Sequence, residues 1–156
     1  MHSMDMTHYM ELLASNQPWN LLIFMVVPVV LAEYIAITEL QVLFTRNFSS
    51  PWRITNRYAG IAAGLYFLGV FLYLFFTAVV PLTTTGGWRG PADVIAVGGY
   101  LLGIVPLGGM ALLELGVIGK GLDQIGKLKL HAIFVAIFLV VAHVAMIFGM
   151  LNPTLL

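Results

Sequence analysis

The chain has 156 residues, of which 60% are hydrophobic and 9% charged, and its formal net charge is zero; the mean hydropathy is +0.97. Soluble domains carry about 25% charged residues, so the hydrocarbon phase is the expected solvent, and seven Lys and Arg in all are too few for a nucleic-acid-binding face. The absence of cysteine excludes disulfides, thiolate metal sites, iron–sulfur clusters and thiol redox chemistry.

Met1 to Asn20 has neither the basic start nor the small-residue cleavage site of a signal peptide and reads as mature sequence. Within it, Asp5 to Ala14 reads as a short interfacial segment with Tyr9, Leu12 and Leu13 on an apolar side; a frayed terminus is the plainer alternative. Four spans follow, at about residues 19–44, 51–80, 91–118 and 124–151, each meeting the requirement of about 20 mostly apolar residues. Pro18, Pro51 and Pro91 stand where a first helical turn tolerates a missing N–H. Asp123 is a cap for the fourth span, while Pro81, Gly119 and Pro153 mark stops. Short links predict an all-α, up-down-up-down four-helix bundle forming one transmembrane domain, 1–156.

Arg46, Arg53, Arg57, Lys120, Lys127 and Lys129 fall in or beside the first and third links, with only Arg89 at the opposite end. The positive-inside rule makes the first end cytoplasmic. A multi-pass protein of the cell inner (plasma) membrane, with both termini periplasmic or extracellular, is the resulting expectation.

In the second span, Gly60 and Gly64 form a GxxxG pattern that permits close helix approach. Tyr58, Tyr66, Tyr73 and Thr77 share one side of it and read as a mildly polar stripe toward the bundle interior, with interfacial anchoring as the alternative for two of the tyrosines. The third span is the weakest helix, and Pro106 predicts a kink near Gly103.

Glu33, Glu39, Glu114, His131 and His143 interrupt the apolar spans. Burying such groups in a bilayer costs from about 3 to more than 10 kcal/mol, so they usually face a bundle interior and serve a pathway or a site. Glu39, Glu114 and His131 each lie near the basic ends of their helices, at one level, and suit Zn²⁺, Mn²⁺ or Fe²⁺ by ligand type or a proton relay. The plainer alternative is a structural hydrogen-bond cluster. The Glu-x-x-His pairs of a ferritin-like di-iron site are absent. Glu33, near mid-span, has His143 as its expected partner, with Tyr66 or Tyr73 sharing the network; a single structural hydrogen bond is the alternative.

At the other end, Met1, His2, Met4, Met6, His8 and Met10 crowd the N-terminus. His143, Met146 and Met150 share one side of the fourth span, and Met25 lies at similar depth on the first. Thioether and imidazole ligands select copper as Cu(I) over hard cations, although methionine also serves as ordinary core filler. Haem b is the other cofactor weighed. His131 and His143 stand 12 residues apart on one helix, but the first three spans contain no histidine to complete a pair of bis-histidine sites.

The expected function is transition-metal handling, copper favoured, or proton handling through a polar site inside the bundle. The alternatives are a non-catalytic accessory subunit of a larger respiratory or redox complex and a single-haem electron carrier. No nucleophile–base pair is visible, so a non-enzymatic role is expected. The partners expected are the lipid bilayer and either a homo-oligomer or a larger membrane complex, with no nucleic acid.

Overall fold

The computed structural model describes residues 6–155, and every regular element among them is helical. A short helix α1 (His8–Ala14) precedes α2 (Trp19–Thr45), α3 (Pro51–Thr85), α4 (Pro91–Glu114) and α5 (Gln124–Met150), all four long and apolar enough to cross a membrane. Capping fixes three starts. The Thr7 side chain accepts from the Met10 N–H at 3.4 Å, Ser50 from Arg53 at 3.3 Å, and Asp123 from Gly126 at 2.7 Å. Each satisfies an N–H that the first helical turn would otherwise leave unpaired.

Two boundaries differ from the sequence expectation. α3 does not stop at Pro81 but continues to Thr85, because a π turn at Phe75–Val79 precedes the proline. α2 uses the same device, with a π turn at Leu22–Val26 ahead of Pro28. A wider turn accommodates the carbonyl that a proline ring would otherwise strike. α4 ends at Glu114 rather than Ile118, since Gly116 at φ 75° and Gly119 at φ 69° turn the chain through the left-handed region. Within α4 the helix breaks at Gly103, three residues before Pro106, as expected.

Neighbouring spans meet in a regular register. Asn56 meets Thr38, and Tyr66 meets Ile23. Arg53 meets Glu114, and Gly64 faces Leu107. Gly99 faces Ala145, and Gly109 faces Phe134. Glu39 meets His131, and Met25 shares a groove with Met146. In each case numbers rise along one helix as they fall along the other.

The GxxxG pattern is a packing device here. A Cβ at Gly64 would lie 2.6 Å from the Leu107 carbonyl oxygen, and one at Gly60 would lie 2.8 Å from His131 Nε2. The tyrosine stripe is corrected: Tyr58 is 67% exposed and Tyr73 56% exposed. Tyr66 donates to the Ile23 carbonyl at 2.8 Å, and the partly exposed Tyr73 ring stacks on Phe24 of α2 with centroids 5.9 Å apart. In a membrane the outer face is itself apolar, and an aromatic side chain is at no disadvantage there. Above Glu39 and His131 the centre of the bundle is filled by Ile35, Phe67, Leu107, Met110 and Phe138, all fully or almost fully buried.

Candidate functional site

The expected convergence of Glu39, Glu114 and His131 is present, and it is larger than those three residues. His131, 0% exposed, is held over Gly60. Its Nδ1 lies 2.7 Å from Glu39 Oε2, and its Nε2 lies 3.6 Å from Glu114 Oε1. The imidazole thus stands between two carboxylates. Asn56 donates to Glu39 Oε2 at 3.1 Å and to Thr38 Oγ1 at 3.0 Å. Arg53 grips Glu114 with two parallel bonds of 2.8 and 2.9 Å and also donates to Asn56 Oδ1 at 3.1 Å. Two buried atoms, Glu39 Oε1 and His131 Nε2, have no hydrogen-bond partner among the described residues.

A fork of this kind neutralises a buried carboxylate with good geometry. It also holds both Glu114 oxygens against a guanidinium. Among the described residues no group of three or more His, Asp or Glu is arranged to hold a metal ion. The trio's fit to Zn²⁺, Mn²⁺ or Fe²⁺ by ligand type is thus not accompanied by a metal-holding arrangement among the described residues.

At the basic end of the bundle a cavity of about 280 Å³ is lined by Arg53, Arg57, Glu114, Gln124 and Lys127, among others. Arg57 donates to the Glu114 carbonyl at 3.3 Å. Glu114 and Arg53 are the members of the network that this mouth reaches.

The opposite end separates the histidines from the methionines. A groove of about 280 Å³ between α1, α2 and α5 is lined by Met6, Met10, Met25, Met146 and Met150, together with Tyr9, Gln17 and three aliphatic residues. His8 and His143 do not line it. His8 bonds through Nδ1 and its backbone N–H to the wholly buried carboxylate of Asp93, which also accepts from the Arg89 N–H. Arg89 in turn pairs with Glu11 and donates to the Met6 carbonyl. Thr7 donates to the Gly149 carbonyl at 2.7 Å. These contacts lay α1 across the ends of α4 and α5. Met1, His2 and Met4 lie outside the described residues.

The expected pairing of Glu33 with His143 is not formed. Glu33 is exposed on the outside of α2, and no hydrogen bond or ion pair from the described residues reaches it. His143 is exposed on α5, its Nδ1 directed at the Leu139 carbonyl 2.6 Å away. Depth can be counted along a helix, but azimuth depends on packing, and both side chains fall on the lipid side. For haem, the histidine inside the bundle has both ring nitrogens facing carboxylates, and the other lies on the outer surface.

In the sequence Arg53 reads only as an interfacial charge, and no motif there marks Asn56, Thr38 or Asp93. The available signal was depth: Arg53, Asn56 and Thr38 fall within about a turn of the level shared by Glu39 and His131.

The family model described as "Family of unknown function (DUF6803)" matches residues 4–156, so the chain belongs to that family. No curated protein matches the chain, and no solved structure does.

Proposed function

We propose that this member of the DUF6803 family is a multi-pass membrane protein that handles protons, using the chain Glu39–His131–Glu114 as its relay. One observation carries the reading: both nitrogens of a wholly buried imidazole face carboxylates, at 2.7 and 3.6 Å. Such an imidazole takes a proton at one nitrogen and gives one up at the other, which is how histidine serves as a shuttle. Arg53 orients Glu114 beside the basic mouth, and Asn56 fixes Glu39. By the positive-inside rule that mouth opens to the cytoplasm of a cell whose inner membrane holds the protein, with the termini on the far side. The apolar plug around Phe67 means that passage across the bundle requires a second arrangement of the helices.

The test is proton flux into proteoliposomes under a potassium-diffusion potential, read by an entrapped pH dye. Wild-type protein should carry protons faster than empty vesicles, and Glu39→Gln and His131→Phe should abolish the difference. Equal rates in all three preparations would reject the reading, and an accessory or structural role would take its place.

A second reading rests on a separate observation, the five methionines lining one groove. Thioethers bind Cu(I) without a thiolate, so this groove supports capture of copper at the end opposite the basic mouth. With His8 and His143 outside it, loading should be insensitive to mild acid, unlike imidazole ligation. Cu(I) competition against a colorimetric chelator, with Met25→Leu/Met146→Leu as the control, decides it. No excess copper in the wild type over the control rejects this reading.

A further inference from the structure

Glu33 and His143 are a carboxyl and an imidazole within the spans that the bundle leaves on its outside. Glu33 lies about 21 Å by helical rise from Trp19 and about 18 Å from Thr45, near the middle of α2. A lone carboxyl facing hydrocarbon at that depth is costly, and such groups ordinarily find a partner.

The two residues belong to one surface. α2 and α5 pack side by side, and the groove between them, about 210 Å³, is lined by Ala36, Leu40, Ala132, Ala136 and Leu139, among others. On helical wheels Glu33 is about 60–70° from the α5-facing side of α2, and His143 about 50° from the α2-facing side of α5. They therefore stand on opposite rims of this groove. Counted from the Glu39–His131 contact, Glu33 is six residues toward the α1 end and His143 twelve, a difference in depth of about 9 Å. Side chains lean toward the N-terminus of their own helix. Glu33 therefore leans toward the level of His143, and His143 toward the level of Glu33, as its Leu139 contact shows.

We infer that this α2–α5 face docks a second copy of the chain, with Glu33 of one protomer meeting the partner's His143 and the reverse. Three features point to a second copy. The surface carries both members of a complementary pair, so a two-fold axis along the membrane normal generates two equivalent contacts, as an isologous interface requires. The depths nearly match once the opposed leans are included. Between the rims, Ala36, Ala132 and Ala136 give the small-residue surface that lets membrane helices approach closely.

The absence of native cysteine makes the test clean. Ala136→Cys and Leu40→Cys lie on the proposed face, and Leu72→Cys lies on the exposed side of α3. Treatment of native membranes with a short bis-maleimide should link the first two as dimers and leave Leu72→Cys monomeric. In the Ala136→Cys background, Glu33→Leu, which removes a carboxyl from the outer face and spares the core, should cut the linked fraction by about tenfold, as for loss of two interhelical polar contacts. The swap Glu33→His/His143→Glu should restore it. The inference is overturned if the two face positions react with a monofunctional maleimide yet never link, if Leu72→Cys links equally, if linked products contain a different protein, if Glu33→Leu has no effect, or if the folded swap fails to restore linkage.

Discussion

Arg53 and Glu114 are joined by two parallel hydrogen bonds across the α3–α4 interface, at 2.8 and 2.9 Å. The carboxylate is buried and the guanidinium nearly so. Removing one member of such a pair leaves the other charge uncompensated, at a cost of about 3–5 kcal/mol, whereas replacing both by apolar groups is often close to neutral. Arg53→Met should destabilise by that amount in equilibrium unfolding from mixed micelles, and Arg53→Met/Glu114→Leu should recover most of it. A single-variant cost below about 1 kcal/mol would show that the fork contributes no more than an exposed ion pair.

The small residues of α3 separate into two kinds. At Gly64 a Cβ would strike the backbone of α4, whereas at Gly69 it meets nothing within 4 Å. Gly64→Ala should cost about 1–3 kcal/mol through overpacking. Gly69→Ala should be neutral or stabilising by up to about 1 kcal/mol, because alanine loses less backbone entropy in a helix. Thermal unfolding of the two variants in one detergent compares them directly.

The α1 segment is held by the Asp93 carboxylate, which takes hydrogen bonds from His8 and Arg89. Asp93→Leu leaves those part-buried donors without their acceptor, at no more than about 1–3 kcal/mol for each group. Limited proteolysis should then cut the Ser15–Pro18 connection at least about tenfold faster, since cleavage follows the population of the opened form. An unchanged cleavage rate would mean that α1 is held by its apolar contacts alone.

Burial pushes the Tyr9 hydroxyl up to about 12 from its usual value of 10.0. Between those two values the unfolded chain has released this proton while the folded chain still holds it, so stability falls as pH rises through the window. The loss amounts to about 2–3 kcal/mol by its upper end. Tyr9→Phe should flatten this part of the stability profile and leave the profile below pH 10 unchanged. An equal slope in both proteins would assign the alkaline loss to other groups.

The spans and the inner trio were legible in the sequence for a common reason: hydropathy and helical rise fix depth. Glu39, Glu114 and His131 could be placed at one level by counting residues from the helix ends. Azimuth was not legible. The spans are apolar on every side, so a wheel gives no contrast between lipid and core, and Glu33 and the tyrosines were assigned inward by polarity alone. In water that argument would hold for an apolar core in reverse, but in lipid it fails for single residues. Arg53 was hidden differently. Its position beside a helix start accounts for it as an interfacial charge, and only the tertiary structure shows its guanidinium turned to Glu114. The contact between His8 and Asp93 spans 85 residues and leaves no local pattern. Pro81 failed as a stop because a π turn needs no sequence mark beyond ordinary apolar residues.

A proton that resides on and leaves the Glu39–His131–Glu114 chain is read on the residues themselves by isotope-edited infrared difference spectroscopy. With glutamate carboxyls ¹³C-labelled in the full chain, a pH step should produce a carboxyl band change that is lost in Glu39→Gln and altered in His131→Phe. A spectrum in which no glutamate or imidazole band responds to pH, or one unchanged by Glu39→Gln, would rule out the relay and leave the network as a structural clamp.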